Sequence, residues 1–195
     1  LMKVIYMPKN FIRNLTGKNR SRKSDIQLGI MLAFVAGAIN AGGFLAVGQY
    51  TSHMTGIVSS VADNLALGSF RLALISLGFL AAFILGAGTS AIMINWARAK
   101  NYSSEFALPL MLEAVLLLVF GVCANNSFSF MFLPIWVVVS ILCFTMGLQN
   151  AIITKASDAR IRTTHITGLS TDIGIEVGKF IYSQFLRGSV KADGK

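Results

Sequence analysis

The chain has 195 residues, 54% of them hydrophobic and only 13% charged, which is too apolar for an ordinary soluble domain. Its net charge of +9 is concentrated at the amino end, with no aromatic interleaving or recognition motif, which argues against a nucleic-acid partner. The apolar residues run continuously instead of alternating with polar ones, which argues against a β-barrel.

Residues 1–25 read as a basic cytoplasmic arm. Lys3, Lys9, Arg13, Lys18, Arg20, Arg22 and Lys23 all precede the first acid, Asp25. Basic residues beside a span hold that side in the cytoplasm, and near anionic headgroups each contributes about 1 kcal/mol. An interfacial amphipathic helix and a disordered tail are both open readings of the arm.

A first span is expected over 26–47. Its Gly29, Ala33, Gly37 and Ala41 fall four apart, a stripe that lets a neighbouring helix come close. Gly42-Gly43 is expected to weaken the helix at its outer end. No cleavage box follows, so no cleavable signal peptide is expected. The chain opens on Leu1, and whether it continues beyond Lys195 is left open.

Segment 49–68 is crowded with polar residues and does not read as lipid-exposed. Spans follow at 70–97, with an Ala82, Gly86, Ser90 stripe, at 106–124, containing Glu113, and at 130–154. Cys123 and Cys143 read as small core residues.

Arg98 and Lys100, then Lys155, Arg160 and Arg162, mark cytoplasmic ends. Segment 49–68 must then begin and end outside, as a re-entrant half-helix. Segment 163–186 is expected to begin and end inside. The fold class is therefore an all-α polytopic membrane bundle with four full spans and two half-helices. It divides into a first repeat at 26–125, an incomplete second repeat at 130–186 and a basic tail at 187–195.

The half-helices carry a duplicated hexapeptide, TSHMTG at 51–56 and TTHITG at 163–168, with lead-ins GAINA at 37–41 and GLQNA at 147–151. Elements entering from opposite faces make an inverted repeat, and irregular backbone at membrane depth is tolerated only around protein or a wet cavity. Thr51 and Thr163 are candidate N-caps. Converging helix N-termini favour an anionic group. The candidate substrate-binding residues are His53, His165, Thr55, Thr167, Asn40, Asn150, Gly56 and Gly168. Glu113 and Asp63 are proton-coupling candidates, because acids at membrane depth are functional by default. The plainer alternative is that the hydroxyls cap helices, the histidines bond carbonyls, the glycines pack, and Glu113 makes a packing hydrogen bond.

No enzyme motif is present, so no enzyme, cofactor or metal site is expected. AGAINAGGFLAVGQYTSHMTG at 36–56 and MGLQNAIITKASDARIRTTHITGLSTDIG at 146–174 resemble the two signatures of the YoaK-type family of uncharacterised bacterial multi-pass inner-membrane proteins. The resemblance implies a bacterial inner-membrane location but no established activity. Members often carry an acid near Asn40, absent here, and continue into further apolar helices beyond the position of Lys195. The function expected is a small-solute transporter, an anionic solute being favoured. The alternative is a non-transporting accessory or assembly subunit. The expected partners are the lipid bilayer, the solute, and either further copies of the chain or a membrane complex.

Overall fold

Uninterrupted apolar runs satisfy their backbone groups internally, which in lipid leaves the helix as the available element. The computed structural model describes residues 17, 22–48, 50–125, 134–156 and 165–192, so most of the expected arm, the 157–164 loop with Thr163, and residues 193–195 lie outside the described residues. Six helices are described: α1 (Arg22–Val47), α2 (Met54–Ala66), α3 (Phe70–Ala99), α4 (Ala107–Asn125), α5 (Ile135–Ala156) and α6 (His165–Ala192). The protein is an all-helical membrane bundle.

Among the described residues, three apolar stretches are long enough to cross a membrane, Ile26–Leu45, Phe70–Ala99 and Ile135–Ala156. The helix α4, of 19 residues, covers the expected third span and is apolar over Ala107–Val122 among the described residues. The helix α2 has 13 residues, about 20 Å at 1.5 Å per residue, less than the roughly 30 Å of hydrocarbon. It stops at Gly68, whose φ is +70°. There Ser69 N bonds Asn64 O at 2.8 Å and Gly68 N bonds Leu65 O at 3.0 Å, the paired bonds of a Schellman cap.

One expectation is corrected. The segment expected as a half-helix at 163–186 is one continuous helix of 28 residues, more than twice the length of α2. The Gly42-Gly43 pair does not break α1, which continues to Val47, because each glycine costs only about 1 kcal/mol in a helix interior.

The helix α3 is the central post. A methyl built on Gly86 would collide with the Phe144 carbonyl oxygen, and one on Gly147 with that of Phe83, so α3 and α5 meet backbone to backbone. On another face of α3, a methyl on Gly174 would lie 2.5 Å from Ile84 O, and one on Gly178 would lie 2.5 Å from Gly88 O. The Gly174/Gly178 pair thus makes the helix contact that its spacing suggests.

Gly174 faces Ile84 and Gly88 while Gly178 faces Gly88 and Ala91, so α6 runs in the direction of α3. Gly147 lies on Phe83 and Lys155 Nζ bonds Asn95 Oδ1 at 3.1 Å, so α5 also runs that way. The helix α1 runs oppositely. Its Ile39 clusters with Leu142 and Cys143, and its Leu28 and Leu32 cluster with Leu148 and Ile152.

The α1 stripe behaves differently from the expectation. Around Gly37 nothing lies within 4 Å of an added Cβ, and Ala33 and Ala41 are exposed. The turn after α1 is fixed by a side chain instead: Asn40 Oδ1 accepts from Thr51 N at 3.0 Å and Ser52 N at 3.2 Å. Phe44 stacks on Tyr50 with ring centroids 4.6 Å apart.

Two predictions follow from these contacts. Gly86→Ala and Gly147→Ala should each destabilise the protein by at least about 2 kcal/mol, the scale of overpacking against unyielding atoms. Gly37→Ala should be neutral or stabilising by about 0.5–1 kcal/mol. Thermal unfolding in mild detergent measures all three, and equal responses would refute the packing scheme. Separately, Asn40→Leu should expose the 48–53 turn to proteolysis by orphaning two N–H groups, about 1–3 kcal/mol each. Asn40→Asp, which keeps the acceptor, should protect it.

Candidate functional site

Because α5 and α6 are drawn onto α3, their remaining faces look towards α1 across open space. A cavity of about 460 Å³ lies there, within the usual size of a small-molecule site. Its α1 wall is apolar and small, with Ile26, Gly29, Ile30, Ala33, Ala36 and Gly37. The opposite wall is polar: Gln149, Asn150 and Thr154 from α5, and Thr167, Gly168 and Thr171 from α6. Asn40 and Ser52 line it where the first hexapeptide begins.

Spacing explains the polar wall. Positions 149, 150, 153 and 154 share one face of α5, and 167 and 171 share one face of α6. Asn150 donates from Nδ2 to Met146 O at 2.8 Å, and Thr171 Oγ1 donates to Thr167 O at 2.8 Å. The Thr167 hydroxyl differs. It is 3% exposed, sits in the first turn of α6, and its Oγ1 has no hydrogen-bond partner among the described residues. A buried hydroxyl without a partner is costly, and Thr167 is one of the residues that line the cavity, near helix N–H groups that also need acceptors.

Of the residues expected at the site, Asn40, Asn150, Thr167 and Gly168 line the cavity. His53, Thr55 and Gly56 do not. His53 is exposed at the N-cap position of α2 and makes no side-chain cap bond. Its imidazole folds over the first turn, where a methyl on Gly56 would lie 3.0 Å from Nδ1. Thr51 is not the cap either. It is buried with Oγ1 unpartnered, and the Asn40 amide takes its N–H instead. Asp63 is exposed on α2. His165 opens α6, but its side chain lies outside the described residues.

Glu113 is buried on α4, one layer behind the cavity. Its Oε1 accepts from Gln149 Nε2 at 2.7 Å, so the expected packing hydrogen bond exists, and Oε2 has no partner. Sequence reading missed Gln149, Ser52, Thr154 and Thr171 as lining residues. The available signal was a second amide beside Asn150 and a hydroxyl one turn after each polar position. Among the described residues, no charged side chain lines the cavity. No cluster of metal-ligating side chains occurs among the described residues.

No solved structure matches this chain. It is 32% identical over 141 residues to the UPF0700 transmembrane protein YoaK of Bacillus subtilis (strain 168), an alignment covering 71% of this chain and 60% of that relative. The chain therefore spans about 60% of the length of that relative. Residues 28–192 match a family described as protein of unknown function, DUF1275. With its multi-pass helices and paired signatures, the chain belongs to that family of transmembrane proteins.

Proposed function

We propose that this protein is a non-enzymatic transporter of a small polar solute, using the cavity between α1, α5 and the start of α6. One observation carries the reading. The cavity takes most of its polar groups from α5 and α6 and most of its apolar groups from α1, and Thr167, whose buried hydroxyl has no partner among the described residues, belongs to the polar side. A solute with a hydrogen-bonding edge and an apolar edge satisfies both walls.

The antiparallel course of α1 and α5, the two helices that carry the lead-ins, supports two repeats of inverted topology. The bacterial inner membrane with a cytoplasmic amino end is the location that the basic arm favours. An anionic solute is less well supported than a neutral one. A desolvated anion needs a paired charge, and among the described residues that line the cavity only helix N-termini, each about half a charge, offer compensation.

A second reading has its own observation. The Ala33, Gly37 and Ala41 face of α1 is exposed, and where it opens on the cavity at Ala33 and Gly37 it would accept a helix from a partner or a further copy of the chain in place of a solute, as an accessory subunit requires.

Stopped-flow light scattering of proteoliposomes separates the two readings. Transport predicts faster re-swelling in urea, acetamide or glycerol than in empty vesicles, with little effect on nitrate or acetate. It also predicts that Thr167→Val with Asn150→Leu reduces the rate at least tenfold, the loss of about 1.4 kcal/mol of differential interaction. No acceleration for any of these solutes, with the protein folded and unidirectionally inserted, would overturn transport. A stable co-purifying membrane subunit would then favour the accessory role.

A further inference from the structure

The pair behind the cavity wall has chemistry that solute passage does not by itself use. Glu113 is 3% exposed and touches the cavity only through Gln149, which bonds its Oε1 at 2.7 Å and also lines the cavity. The second carboxyl oxygen is buried and unpartnered. The helices packed near it bring no charge to its depth. On α3 the charged residues are Arg71 in the first turn and Arg98 near the end, and Arg98 is held by Glu105 at 2.6 Å. On α5 Lys155 lies in the last turn and bonds Asn95, while the Cys143 thiol is buried. On α1 the charges Arg22, Lys23 and Asp25 all lie in the opening turn.

We propose that Glu113 is a proton-binding site that switches the cavity between hydrogen-bond acceptor and donor by turning over the Gln149 amide. An ionised carboxylate only accepts, so Gln149 must present its NH₂ to Glu113 and leave its amide oxygen for the cavity. That state selects a solute edge bearing hydroxyl or amide N–H donors. When a hydronium ion that reaches the unpartnered second oxygen gives its proton to the carboxylate and becomes water, the carboxyl turns and its new O–H donates to the Gln149 amide oxygen. The amide then faces the cavity with its NH₂, and a carbonyl or ether edge is preferred. Only one O–H bond forms and one breaks.

This switch rests on the cavity being a binding site, but its readout does not depend on transport. Infrared difference spectra of the full chain in lipid nanodiscs, titrated with pH in the absence of solute, report both groups. A protonated-carboxyl band should rise together with a shift of the glutamine side-chain amide band. Glu113→Gln should abolish both changes, and Gln149→Leu should leave the carboxyl band while removing the amide shift. Circular dichroism confirms that each variant is folded, and Glu113→Asp, expected to keep a titrating band, guards against a folding defect. A carboxyl band unaltered in Glu113→Gln, or an amide band that stays still as Glu113 titrates, overturns the switch. Paired bands without flux in vesicles would reject transport and keep the switch, and flux without paired bands would do the reverse.

Discussion

Inside a bilayer, burying a leucine against another helix gains little, because the lipid tails are equally apolar. What holds such helices together is dispersion between closely packed atoms, and it is largest where no side chain keeps the backbones apart. In this protein that condition is met on two faces of α3, by Gly86 with Gly147 and by Gly88 with Gly174 and Gly178. The other elements take their places from it. With α5 and α6 fixed to α3, the α5 and α6 faces bearing amides and hydroxyls cannot turn inward and are left facing α1.

The helix α1 is held differently, and the cavity results. It packs through larger side chains, Leu28, Leu32 and Ile39, while its small-residue stripe stays open. The Asn40 amide then ties its far end to the first hexapeptide. The corresponding Asn150 uses its Nδ2 on its own helix instead, at Met146 O. Two asparagines in matching lead-ins therefore do different work: one orders a turn with its oxygen, and the other adds polarity to a cavity wall. The same asymmetry separates a 13-residue α2 from a 28-residue α6.

Local periodicity made the helices legible, along with the contacts at Gly86 and Gly174/Gly178, because small residues at helical spacing mark a surface that something approaches. The identity of what approaches is not encoded in the spacing, so the Gly29 to Ala41 stripe read as a helix contact and proved to be mainly cavity wall. The hexapeptides lie on elements that border the cavity, but only some of their residues reach it. Of their first copy, Ser52 reaches the cavity and His53 points away. Thr167 and Gly168 of the second copy do line it. Gln149 escaped notice because its partner Glu113 lies 36 residues away, and nothing in either local pattern links an acid on one helix to an amide on another.

The placement of that acid has a physical logic. A carboxylate in the cavity wall itself would impose a full charge on every occupant: at 4 Å and an effective dielectric of 20 a unit charge acts with about 4 kcal/mol. Such a wall binds cations and repels anions whatever their shape. Set one side chain back, the charge acts on the solute through the orientation of an amide dipole. A neutral hydrogen bond contributes about 1 kcal/mol, so turning over the Gln149 amide shifts preference between donor and acceptor edges several-fold without trapping either. Weak, reversible discrimination of that size would suit the proposed transport, and it would account for an acid set just behind a wall that carries no charge among the described residues.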